Sequence, residues 1–167
     1  MKYYASVSFG KDSLAMLFML IDKGYQLDEV VFYDTGMEFQ AIYNTRDAVL
    51  PILKKLGIKY TELHPEQPFL WTMFERPVKK RGTNIIHKKG YSWCGGTCRW
   101  GTSEKLRALK AHTKDGIDYV GIAADETHRF EKENDQIGFY HFVIGALLKQ
   151  MHSSTVTQKA LFGMRME

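Results

Sequence analysis

Short apolar runs alternate with longer amphipathic ones along this chain. Tyr3 to Val7 is a short run without helical period, so residues 2–8 are read as a buried strand. Residues 12–23 carry Leu14, Leu17, Phe18 and Ile21 at helical spacing, and Gly24 is a plausible stop. Leu27 to Tyr33 contains Val30-Val31-Phe32-Tyr33, a second buried strand. Residues 38–56 follow a long helical pattern closed by Gly57, with Pro51 expected to kink it. Ile58 to Leu63 is a third strand, 64–68 a loop, and Phe69 to Phe74 a short helix. Residues 77–101 are rich in Gly and Lys and show no clear period. Residues 102–113 again look helical, and Ile117 to Ile122 forms a fourth strand. Strands alternating with helices predict an α/β fold, doubly wound around a mainly parallel sheet.

Composition narrows the class without changing that picture. The 167 residues are 44% hydrophobic and 25% charged, as in a soluble domain with a sizeable core. The net charge of +4 fits an anionic ligand such as a nucleotide or nucleic acid. No apolar run approaches the roughly 20 residues that a membrane helix needs. The N-terminus enters a strand directly, so neither signal peptide nor membrane span is expected and the location is read as cytoplasmic. Two cysteines in such a chain argue against a disulfide framework.

Three polar stretches stand at the predicted carboxyl ends of strands, where parallel sheets hold their ligands. The first is Ser8-Phe9-Gly10-Lys11-Asp12-Ser13. A strand, a glycine and a helix start expose unpaired N–H groups at the positive end of a helix dipole, and Lys11 adds a full charge. The same residues also read as a tight turn capped by Asp12 or Ser13. The second is Asp34-Thr35-Gly36-Met37-Glu38-Phe39, with Tyr43 a turn later, and the third runs from Gly121 through Ala124-Asp125-Glu126 to Arg129.

Together these loops resemble those of the phosphoadenosine-phosphosulfate (PAPS) reductase family, within the PP-loop, adenine-nucleotide alpha-hydrolase-like group. The resemblance covers roughly residues 3–134, leaving 135–167 as a divergent tail, and it implies a Rossmann-like nucleotide-binding domain. It implies ATP or PAPS as ligand, with Mg²⁺, and chemistry at the phosphates: pyrophosphate release, adenylylation or sulfur transfer. Ser8, Gly10, Lys11 and Ser13 would cradle phosphate oxygens, while Asp12 would hold Mg²⁺ or cap the helix. Asp34, Thr35 and Gly36 would lie on the adenosine side, with Gly121, Asp125, Glu126 and Arg129 beyond the phosphates. Lys11 and Arg129 would be the catalytic cations, Arg129 offering bidentate recognition unless it pairs with Glu131 or Glu133.

Cys94-Gly95-Gly96-Thr97-Cys98 offers two thiolates that could reach one metal, zinc or an iron–sulfur cluster. That is half a site, with His87 and His112 nearby in sequence; two buried small residues or an adventitious disulfide are the other readings. The resemblance implies that further cysteines follow in relatives, and Lys105 matches the family's Cys-then-Lys region. The family's catalytic Glu-Cys-Gly-Leu-His type tail is absent from this sequence, which argues against a redox reaction by that route. From Val143, permissible codons in a neighbouring frame spell the Trp-Gly-Ile-Thr-Glu-Ala-Asp helix of relatives. Residues 143–167 are therefore expected to be an out-of-frame, truncated tail; the alternative is a genuine apolar helix over Phe142 to Met151.

Two other functions stay open. Lys79, Lys80, Arg81, Lys88, Lys89 and Arg99, interleaved with Trp93 and Trp100, would suit a nucleic-acid partner in a sulfur-modification module, or a solvated loop. An inactive remnant would bind nucleotide without turnover. The oligomeric state has no signature.

Overall fold

A computed structural model describes residues 1–91, 99–122 and 139–143, with the backbone alone described at 99–101 and 139–143. Five parallel strands form the main sheet: β1 (Lys2–Ser6), β2 (Glu29–Tyr33), β3 (Lys59–Leu63), β6 (Gly116–Ile122) and β7 (Phe139–Val143). Their order is β3-β2-β1-β6-β7. The chain builds outward from β1 to β3, then returns to the other side of β1. The order therefore reverses at the crevice between β1 and β6, where ligands of open α/β sheets bind.

Helices α1 (Lys11–Asp22) and α2 (Gln40–Lys55) link β1 to β2 and β2 to β3. Helix α3 (Lys105–His112) precedes β6, so its crossover runs the opposite way. Strand alternation then divides the core. Ala5, Val7, Val30 and Phe32 pack with Met16, Leu17 and Leu20 of α1 and Val49 and Leu53 of α2. The alternate positions Tyr4, Val31 and Tyr33 pack with Leu109 of α3. All five residues of β2 are buried, as the run Val30 to Tyr33 required.

The predicted strands and long helices stand within a few residues of their expected limits. Gly24 and Gly57, at φ +67° and +70°, follow the first two helices. Helix α2 runs through Pro51 without interruption. It begins at Gln40 rather than 38, because Thr35 Oγ1 donates to Glu38 Oε1 (2.9 Å) and holds that residue in the preceding turn. The short helix expected at 69–74 includes a π-type turn, Trp71–Glu75, and the helix expected at 102–113 begins as another, Arg99–Glu104.

Three strands lay outside the sequence reading. Strands β4 (Pro77–Lys79) and β5 (Ile86–Lys89) form an antiparallel hairpin within the stretch that showed no period. Strand β7 pairs in parallel with β6 inside the segment expected to diverge, Asp118 facing Phe139 and Ile122 facing Val143. A helix beginning at Phe142 is thereby replaced by a strand to Val143. Residues 144–167 lie outside the described residues.

Candidate functional site

Residues after β1 turn sharply. Phe9 has φ +57°, a left-handed conformation that costs a non-glycine residue about 1–2 kcal/mol. Its ring is buried, edge-on to Phe32 (centroids 5.1 Å apart) and tilted against Tyr60 (6.3 Å). Burying a phenylalanine side chain is worth about 1.5–3 kcal/mol, enough to hold the turn. A left-handed step just before a helix is one way to aim successive N–H groups in one direction.

Gly10 sits here without conformational strain. Its φ is −78°, open to any residue, and an added Cβ would meet only Ser8 Oγ at 3.5 Å. What glycine contributes is uncovered backbone. Helix α1 starts with no side-chain cap, so neither Asp12 nor Ser13 closes its N-terminus. Ser13 braces the loop instead. Its hydroxyl donates to Gly10 O (3.0 Å) and accepts from Ser8 N (3.2 Å), with Ser8 Oγ 3.1 Å away.

A cavity of about 330 Å³ opens over this loop at the strand-order reversal. Ser8, Gly10, Lys11, Asp12 and Ser13 line it on one side and Val120 and Gly121 on the other. Lys105, Leu106 and Leu109 of α3 close it. Burial holds the Lys105 ammonium pKa below the usual lysine value, with the Glu38 carboxylate pulling the other way. The cavity thus carries a second lysine besides Lys11, one whose charge an anion would relieve. The sequence had marked Lys105 only by its position after Cys98; its place on α3 brings it here.

Asp34, Thr35 and Gly36 lie one strand further out and are not on this wall. Asp34 Oδ1 accepts from Gly36 N (2.7 Å) and Tyr43 Oη (2.8 Å), which fixes the turn. Burial and this bond push the Tyr43 phenol pKa up. The other oxygen, Oδ2, faces His64 Nδ1 at 4.0 Å, and His64 Nε2 stands 3.5 Å from Glu62 Oε1. Asp34, Glu62 and His64 thus gather potential ligand atoms within 4.8 Å. Arg46 Nη1 already pairs with Glu62 Oε2 (3.2 Å).

A second cavity, about 480 Å³, shares Tyr33 with the first. His64, Trp71, Arg76, Glu104 and Arg107 are among its walls. Arg76 pairs with Glu104 (2.9 Å) and covers the Tyr91 ring at 5.5 Å. No sequence motif marked this cavity, because it is assembled from the loop after β3, the first π-type turn and α3. Asp125, Glu126, Arg129, Cys94 and Cys98 lie outside the described residues. No helix among the described residues is long and apolar enough to cross a membrane.

A parallel sheet with helices on both faces, an uncapped loop–helix junction and a lysine-lined cavity at the reversal point define a Rossmann-like α/β domain of nucleotide-related function. The phosphoadenosine phosphosulfate reductase domain model matches residues 2–129, and the chain belongs to that family. It is similar to an uncharacterized protein of Methanocaldococcus jannaschii, 32% identical over 125 residues. Those residues are 72% of this chain and 22% of that relative, so the chain spans about a fifth of its length.

Proposed function

We propose that this domain binds an adenine nucleotide, ATP or a sulfonucleotide, and cleaves or transfers at its phosphates. The observation that carries this reading is the cavity at the strand reversal, where uncapped helix amides meet Lys11 and Lys105. Amides and two ammonium groups match a polyphosphate, and charge developing on phosphoryl oxygens is what such donors stabilise.

With ATP, an acceptor oxygen attacks the α-phosphorus and the α–β anhydride breaks. Pyrophosphate leaves with the bonding electrons, and the acceptor's proton passes to solvent. Lys11, at the mouth of the loop, balances negative charge as it builds, and Arg129 is assigned the same role from the far side by the family motif. Asp12 would hold Mg²⁺: the residue lines the cavity, and helix α1 has no side-chain cap. The ion would supply further charge neutralisation. The half-site Cys94 and Cys98 enters no step of this chemistry.

Pyrophosphate release from ATP, with Mg²⁺ and candidate acceptors, tests the proposal. Release abolished by Lys11→Ala supports it. Nucleotide binding without turnover under any acceptor supports the inactive remnant instead, and absence of nucleotide binding at millimolar ligand refutes both.

A further inference from the structure

From Arg76 to Tyr91 the chain carries Arg76, Lys79, Lys80, Arg81, Lys88 and Lys89 and no Asp or Glu. The structure turns this stretch into an arm. Strands β4 and β5 pair Pro77 with Lys89 and Val78 with Lys88, and every residue from Lys79 to Lys89 is exposed. Lys79, Lys80, Arg81, Lys88 and Lys89 make no ion pair among the described residues. Lys79 Nζ instead donates to Asn84 Oδ1 (3.1 Å), and Lys80 N donates to Ile85 O (2.9 Å), so the turn is internally braced.

The base of the arm is fixed to the body. Gly90 N donates to Arg76 O (2.7 Å) and Tyr91 N to Thr72 O (3.3 Å). At Gly90 an added Cβ would stand 2.1 Å from Met73 O, so the backbone docks where only glycine fits. The arm also starts at a cavity wall: Arg76, the residue before β4, lines the 480 Å³ cavity together with Trp71 and Arg107. Arg107 is exposed and forms no ion pair among the described residues.

We propose that the hairpin and this cavity bind a single-stranded nucleic acid. The hairpin cations lie against successive phosphates, and an unpaired base enters the cavity, stacks on Trp71 and has its phosphate met by Arg107. A strand of cations without acids is complementary to a polyanion, and an aromatic wall beside it suits an exposed base rather than a lipid headgroup or a duplex. The two cavities share Tyr33, which would bring a nucleotide of the strand beside the phosphate site. The binding itself requires no nucleotide chemistry.

Fluorescence anisotropy of the full chain with labelled 12-nucleotide DNA and RNA strands, without ATP, tests this. Binding is expected at about 50 mM salt, weakening with a log–log slope of about −2 to −3.5, as three to five neutralised phosphates give. Lys79→Glu/Lys80→Glu/Arg81→Glu should weaken binding at least tenfold and flatten the slope by about 2. Trp71→Ala should weaken it about tenfold without changing the slope. Arg107→Gln, an exposed position, is the second cavity variant should Trp71→Ala melt early, and should lower both affinity and slope. Strand binding that survives in Lys11→Ala separates this result from the fate of the phosphate proposal. No binding at low salt, indifference to the hairpin triple variant, indifference to both cavity variants, or preference for duplex or for phosphatidylserine vesicles would each overturn it.

Discussion

Replacing Asp118 by Asn removes a charge buried between β6 and the end of β1. Asp118 is 2% exposed on β6 and accepts from Ser6 N (3.1 Å) and Ser6 Oγ (2.7 Å) of β1. Burial pushes its carboxyl pKa up from 3.8 to about 6; bonds from Ser6 and Thr113 and the nearby His112 oppose the shift without cancelling it. Between those values the folded protein binds more protons than the unfolded chain, so this group's contribution to stability falls as pH rises. At 1.36 kcal/mol per unit the displacement amounts to about 3 kcal/mol, an upper bound on what the ionised group costs at pH 7. Asparagine keeps an acceptor for Ser6 N and can donate to Ser6 Oγ. Urea unfolding of both proteins from pH 4 to 8, followed by circular dichroism, reads the difference directly. The stability of Asp118→Asn relative to wild type should grow by about 2–3 kcal/mol from pH 4 to pH 7 and then level off. A difference independent of pH, or one that grows as pH falls, refutes the reasoning.

Other substitutions test the loop, the lysines and the arm. Phe9→Ala should cost about 3–5 kcal/mol in chemical unfolding, while Phe9→Gly should be about 1 kcal/mol more stable than Phe9→Ala, reversing the usual order because φ there is positive. Gly10→Ala should change the melting temperature little, since within the protein the added methyl meets only Ser8 Oγ at an ordinary 3.5 Å, but should weaken nucleotide binding by calorimetry. Lys105→Met should weaken nucleotide binding about tenfold and remove its alkaline decline; in wild type, affinity falls as rising pH strips the Lys105 proton earlier than from an ordinary lysine. Gly90→Ala, with positive φ and backbone 2.1 Å from the new Cβ, should cost about 3 kcal/mol or more and release the arm to proteolysis.

Much of the sheet was legible because its strand β2 is buried on both faces. Val30 to Tyr33 can only be a strand of that kind, and Leu14, Leu17, Phe18 and Ile21 can only face one core. The hairpin was not legible: Pro77 to Lys89 lies on the surface, without a buried face to impose alternation, and its pairing depends on the turn at Lys80 to Ile85. Strand β7 was hidden because its partner is β6, fixed by register rather than by any local pattern. At the site, the motif residues around Lys11 were readable as residue types, but not the division of labour among them. Ser13 holds the loop and Asp34 holds its own turn, while Lys105 reaches the cavity from a helix far along the chain.

Strand order explains why the three loops do not contribute equally. The loop after β1 and the carboxyl end of β6, at Val120 and Gly121, lie on opposite sides of the reversal and both line the crevice. The loop after β2 is one interstrand step away, about 5 Å, and meets Glu62 and His64 of the neighbouring strand instead. A polyphosphate seated over Gly10 and Lys11 must extend that far before Asp34 can touch it. In the proposed function, β1 and β6 would therefore serve the phosphates and β2 what is attached to them. The cost of keeping the helix start uncovered appears at Phe9, where backbone strain is held by aromatic packing on the opposite face of the sheet from α3.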